Sequence, residues 1–202
     1  MIANEKSVHK KVVSEEKEAL RRRLLKARQT IPPRLRQAKS ARICHHLSNW
    51  ETFAASKLTL AYCSFRGEPQ LDSLFQQPHR VWGLPRCEGQ TLIWHRWFRY
   101  SQWSLRTGTY GITEPDSSAP SVEPYQVDLI LVPCLACDVN GYRLGYGGGF
   151  YDRMLNNPKW ADIPTIGIVF EYARLPLVPK EDWDIRLHGV CTESGLFLLP
   201  QP

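Results

Sequence analysis

The chain has 202 residues, 43% of them hydrophobic, which suits one domain of moderate size with a buried core. The opening MIANEKSVHKK lacks the apolar centre of a signal peptide, and no later run approaches the ~18 apolar residues of a membrane span, so a cytoplasmic protein is expected. The formal charge is +6, but residues 1–50 carry 13 Lys and Arg against 4 Glu, which leaves the remainder slightly acidic. Such a basic segment suits nucleic acid, a nucleotide or a polyanionic substrate, or is the solvated face of two helices, and charge alone does not choose. Six scattered cysteines are not a disulfide framework in a chain of this size. Cys134 and Cys137 form a lone CxxC at the end of a predicted strand. A redox pair should open a helix and a zinc site needs further ligands, so packing is the expected role.

In chain order, residues 1–13 are expected to form a disordered tail and residues 14–202 a single domain. Ser14 can cap a first helix with Glu15 and Glu16 in its first turn. Leu20, Leu24 and Ala27 repeat at helical spacing and should face the core, while Lys17 and Arg21, four apart, share a neighbouring face. Pro32 and Pro33 end that helix and start a second, with Ile43, Leu47 and Trp50 as its apolar stripe. Cys44, His45 and His46 are adjacent and read as structural.

Lys57 to Phe65 predicts the first strand, and Glu68 follows at its C-terminal end, where open α/β sheets place their ligand crevice. A short helix over 71–76 leads into residues 80–84 and Pro85, and 91–97 alternates like an edge or antiparallel strand. Val127 to Val132 is apolar enough for a fully buried strand, and Thr165 to Val169 predicts another. Alternation of strand and helix patterns from Lys57 onward argues an α/β domain with a mainly parallel sheet flanked by helices.

Packing explains the segment NGYRLGYGGGFYD, Asn140 to Asp152, least well. Gly145, Gly147, Gly148 and Gly149 fall within five positions, where each ordered glycine loses much backbone entropy. A flexible turn is the plain alternative. A loop whose N–H groups converge on an anion, followed by a helix from about Phe150 and flanked by Arg143 and Arg153, explains the pattern better. No Lys and Ser or Thr follow the last glycine, which excludes a Walker loop, and the spacing from the strand excludes the dinucleotide fingerprint.

Arg143 to Asp152 match, at every fixed position, the signature R-L-G-x-G-x-G-[YF]-Y-D of the 5-formyltetrahydrofolate cyclo-ligase family, and from about Lys17 to Gly195 the chain resembles that family. Lys17, Leu20 and Arg21 match its K-x-x-L-R opening. Gly108 to Pro115 match its G-x-x-G-I-x-E-P turn, in which Glu114 reads as structural. Three departures stand out. Pro69 and Gln70 follow Glu68 where the family has E-[VIL]-D-T, Trp183 precedes Asp184 where His is common, and His188 replaces a usual Asp.

The resemblance implies a three-layer Rossmann-like sandwich of the ribose-phosphate isomerase and CoA-transferase kind. It implies ATP- and Mg²⁺-dependent conversion of 5-formyltetrahydrofolate, with or without a polyglutamate tail, to 5,10-methenyltetrahydrofolate by a monomer that needs neither membrane nor nucleic acid. Arg143, Tyr151 and Asp152 are the catalytic candidates under that resemblance. ATP would meet Lys17, Arg21, Arg143, Leu144, Gly145, Tyr146, Gly147, Gly148, Gly149, Phe150 and Tyr151. The folate would meet Glu68 and Tyr151, and Mg²⁺ would meet Asp152 and Asp184. The rival readings are a nucleic-acid-binding homologue of the same fold without the chemistry, argued from the basic first 50 residues, and a sugar-phosphate isomerase of like architecture.

Overall fold

The structure is a computed structural model that describes residues 2–78 and 80–200, with side chains described from Lys10 apart from that gap. Helix α1 runs Ile2–Gln29. The helix therefore extends through the stretch expected to be a disordered tail, and Ser14 lies inside it rather than capping it. The reason is local: no Gly or Pro interrupts residues 2–29, which are rich in Glu, Lys, Arg, Leu and Ala. Among the described side chains Val13 is the first buried, and burial then recurs at Lys17, Leu20, Leu24 and Arg28. Arg28, not Ala27, continues the inward face.

After Pro32 come α2, Pro33–Ser48, and α3, Glu51–Ala55. Ile43 and Leu47 are buried as expected, but Trp50 lies beyond α2 and stands ahead of α3. Strand β1 is only Leu58–Leu60, shorter than the apolar run suggested. Helix α4, Asp72–Phe75, precedes β2, Val81–Glu88, and β3, Thr91–Trp97. Two short strands, β4 (Leu105–Thr107) and β5 (Thr113–Pro115), form a separate hairpin. Then come β6 (Leu129–Pro133), β7 (Ala136–Asp138), β8 (Arg143–Leu144) and α5 (Phe150–Leu155). The chain closes with β9 (Thr165–Ile168), β10 (Arg174–Leu175), β11 (Gly189–Thr192) and β12 (Gly195–Leu198).

The main sheet has the order β12-β11-β9-β6-β1-β2-β3. Its five inner strands are parallel, and β12 and β3 close the two edges antiparallel. Strand β2 passes through Pro85 because Gly83, two residues earlier, turns its carbonyl to Ala61 on the β1 side. The Pro85 nitrogen points to that same side, just past the end of β1, so the missing N–H breaks no ladder.

The period-two alternation of β6 separates the layers. Ile130 and Val132 pack with Leu20 and Leu24 of α1 and with Met154 and Leu155 of α5, while Leu129 and Leu131 pack with Ile43 and Leu47 of α2 and with Leu74 of α4. Two helical layers thus cover a mostly parallel sheet, as the sequence predicts. From β1 the chain goes to β2 on one side and later to β6 on the other, which opens a crevice beyond the C-terminal ends of these strands. Among the described residues no helix is long and apolar enough to cross a membrane.

Cys134 and Cys137 are fully buried free thiols. Their sulfurs lie 3.4 and 3.5 Å from where a Cβ on Gly167 of β9 would stand, and burial pushes the Cys134 thiol up to about 12. Replacing both by alanine should lower unfolding stability by about 1–3 kcal/mol while the far-ultraviolet circular dichroism is retained. Denaturant titration checks this, and stoichiometric zinc in the wild-type protein would contradict the packing role.

Candidate functional site

A cavity of about 820 Å³ occupies the crevice, and every site residue proposed from the sequence lines it. Its floor is the loop between β8 and α5. Gly147 and Gly149 have φ of 99° and 68°, a region that side chains with a Cβ enter at a cost. A Cβ on Gly149 would also come 2.6 Å from Arg153 Nη1. Two arginines hold the loop by its carbonyls: Arg21 Nε donates to Gly145 O at 2.9 Å, and Arg153 Nη2 donates to Gly148 O at 2.9 Å. Helix α5 spans only six residues, so the loop amides and flanking cations matter more for an anion here than a helix dipole does.

Arg143 is buried, and its Nη2 donates to Asp152 Oδ1 at 2.7 Å. The Asp152 side chain keeps 33% of its surface exposed and lines the cavity. Asp184, expected at a metal, has a different partner. Lys17 Nζ lies 2.5 Å from Asp184 Oδ2 and 3.6 Å from Glu181 Oε2, and that same Oδ2 accepts the Glu181 amide at 2.8 Å. Both partners in the short pair are nearly buried, at 9% and 8% side-chain exposure. Among the described residues no group of three or more His, Cys, Asp or Glu could hold a metal ion by itself.

Glu68 follows a tight turn in which Arg66 takes a left-handed φ of 46°, unusual for a residue with a Cβ. Its carboxylate is 3% exposed, and Oε2 accepts the Phe65 amide at 2.9 Å. Burial raises its pKa, while the Phe65 amide, Arg28 and Tyr146 pull it back down. The Pro69–Gln70 departure does not displace Glu68: Tyr62 donates its hydroxyl to Pro69 O at 2.9 Å, and the Gln70 amide donates to Ser40 Oγ at 3.0 Å. On the opposite wall the Tyr151 hydroxyl is buried with no hydrogen-bond partner among the described residues, and burial holds its pKa well above that of a free tyrosine. A buried donor left unpaired beside a cavity calls for a ligand acceptor.

The sequence pattern of the 5-formyltetrahydrofolate cyclo-ligase family matches residues 13–193. The chain belongs to that family. A cyclo-ligase of Haemophilus influenzae is 31% identical over 160 residues, spanning 76% of this chain and 84% of that protein. One from Mycolicibacterium smegmatis is 30% identical over 184 residues, spanning 87% and 93%. The structure of Aquifex aeolicus 5,10-methenyltetrahydrofolate synthetase superposes with a TM-score of 0.81 at 31% identity, covering 92% of this chain and 94% of that one.

Among these cyclo-ligase features, Glu114 is the buried bracket expected of it: Oε1 accepts the Cys87 amide at 3.0 Å, and Oε2 lies 3.7 Å from Arg86. Sequence reasoning missed Arg28, whose side chain runs behind the cavity wall, and Tyr110 and Trp183, exposed aromatics at the cavity. Arg28 sits four residues after Leu24 on the inward face, so spacing alone could have marked it. Trp183 was noticed only as a departure, and its ring lies 4.9 Å from Lys10 Nζ.

Asp184→Asn tests the ion pair without any ligand. It leaves Lys17 nearly buried with only the more distant Glu181 as a counter-charge, so stability should fall by about 2 kcal/mol, less than the 3–5 kcal/mol of a fully buried pair because Glu181 remains and both side chains touch the cavity. An unfolding midpoint unchanged in metal-free, nucleotide-free buffer would contradict the assignment.

Proposed function

We propose that the protein converts 5-formyltetrahydrofolate and ATP to 5,10-methenyltetrahydrofolate, ADP and phosphate. The observation that carries this reading is that the glycine loop with its cations and the buried Glu68 carboxylate open into one cavity, so two substrates can lie side by side. An N-formyl carbonyl is a resonance-stabilised amide whose oxygen leaves poorly. Attack of that oxygen on the γ-phosphorus expels ADP and forms an iminophosphate. N10 of the same molecule then attacks the formyl carbon, and the oxygen leaves as part of inorganic phosphate while N10 loses its proton.

No enzyme nucleophile is required. Two thiols lining the cavity, Cys63 and Cys87, are held by burial at about 12 and about 11 and stay protonated. The protein's work is alignment and charge stabilisation. Arg143, Lys17 and Arg21 face the phosphates with the loop amides of Gly145 to Gly149. Leu144, Tyr146 and Phe150 complete the nucleotide wall. Glu68 and the unpaired Tyr151 hydroxyl orient the folate, and Arg143 and Asp152 stabilise the transferring group. Magnesium fits this donor set, since it takes one or two carboxylates together with substrate phosphates and Asp152 offers a part-exposed carboxylate beside the loop. Bound there, it would neutralise phosphate charge. Asp184 is assigned the positioning of Lys17.

Nothing specific favours the nucleic-acid reading. Of the basic residues in the first 50, Lys17 and Lys39 are ion-paired to carboxylates, Arg21 holds the loop, and Arg28 is buried. We also infer a cytoplasmic monomer, acting on the folate with or without a polyglutamate tail; six free cysteines support the compartment.

Purified protein with Mg-ATP and 5-formyltetrahydrofolate should give the methenyl chromophore and ADP in equal amounts, and neither without magnesium. Tight RNA binding with no turnover would sink the reading. Asp152→Asn should retain the fold by circular dichroism and lose on the order of 10²-fold in kcat, whereas Asp184→Asn should mainly raise the KM for ATP. A larger kcat loss for Asp184→Asn would return the metal to that residue.

A further inference from the structure

Behind the cavity wall, Glu68 and the glycine loop are joined by two side chains that the reaction itself does not consume. Arg28 is 1% exposed, near the end of α1. Its Nη1 donates to the Tyr146 hydroxyl at 2.7 Å and its Nη2 donates to Cys134 O at 2.8 Å, so the fork ties the loop to the turn after β6. Tyr146 stands between Gly145 and Gly147, and its hydroxyl is where the otherwise side-chain-poor loop meets the core. Its ring packs edge-on against Phe65 at 6.4 Å, and the Phe65 amide is the one that holds Glu68. The Glu68 carboxylate faces both the Tyr146 hydroxyl and the Arg28 guanidinium.

A buried ion of this kind contributes little net stability, and Arg28 Nε has no hydrogen-bond partner among the described residues. Its contribution is geometric: it fixes one atom of the loop relative to Glu68.

We propose that the Arg28–Tyr146 contact is a latch that couples the two substrate subsites, so that nucleotide on the glycine loop tightens binding of the folate at Glu68. This rests on the assignment of ATP to the loop and folate to Glu68. A nucleotide that orders the loop also fixes Tyr146, and with it Phe65 and the carboxylate, so the folate meets a site whose ordering cost has already been met. The effect must be reciprocal, with folate tightening nucleotide by the same factor. Arg28 and Tyr146 act here as positioning residues.

The test is a binding cycle with 5-formyltetrahydrofolate and a non-hydrolysable ATP analogue, each titrated alone and with the other saturating, on wild type, Tyr146→Phe and Arg28→Lys. Tyr146→Phe removes one oxygen, and lysine cannot reach two acceptors with a rigid fork. In the wild type each ligand should tighten the other by about fivefold or more. In both variants the factor should fall toward one, whatever the variant does to the affinity of either ligand alone. A wild-type factor of one, or an undiminished factor in Tyr146→Phe, overturns the latch. Failure of either ligand to bind the wild type overturns the functional reading instead, and the latch with it.

Discussion

Helix α1 packs on the sheet face of Ile130 and Val132, and three cations along it tie it to segments around the cavity. Lys17, Arg21 and Arg28 recur at intervals that keep them near one stripe of the helix, and each takes its partner from a different segment. Lys17 reaches Asp184 near the C-terminal end, Arg21 reaches the carbonyl of Gly145, and Arg28 reaches Tyr146 and Cys134. Leu20 and Leu24 between them supply the apolar seat. The turn after β6 and the glycine loop are already joined through the β7–β8 ladder, where the Leu135 amide donates to Leu144 O at 2.8 Å, and the helix ties the segment around Glu181 to Asp184 into the same frame.

That frame explains why the site can work by positioning. Phosphoryl transfer to a neutral amide oxygen needs two large substrates held in line and charge stabilised on the moving group, and a site offering cations and amides from several rigid elements meets that need. The glycines let the backbone come close, and the arginines that grip their carbonyls keep so pliable a loop in place. Partial burial keeps the cavity thiols Cys63 and Cys87 protonated, and Tyr151 is held neutral by the same effect, as a hydroxyl able to donate a hydrogen bond.

Much of this was legible in the sequence because it is written locally. The run 129–132 is apolar at successive positions, which a strand buried on both faces requires, and the glycines of 145–149 have no packing rationale. The Arg143 to Asp152 signature located the cavity floor before any coordinates. What was not legible depends on partners distant in sequence. Asp184 is a candidate Mg²⁺ ligand under the family resemblance, and nothing local shows that Lys17, 167 residues away, stands against it. Arg28 sits at the spacing of the inward face, but its partners Tyr146 and Cys134 show only when the loop has folded onto it. Strand β1 ends at Leu60 although the apolar run continues, and Tyr62, Cys63 and Phe65 beyond it line the cavity instead. Helix α1 reaches back to Ile2 because no glycine or proline interrupts residues 2–29.

The most direct measurement follows the formyl oxygen. With 5-formyltetrahydrofolate labelled by heavy oxygen in the formyl group, turnover with unlabelled ATP in unlabelled water should place the label in inorganic phosphate, one atom per methenyl product. Label found in water, or phosphate carrying oxygen only from ATP and solvent, would contradict phosphorylation of the formyl oxygen and with it the alignment of the two substrates in this cavity.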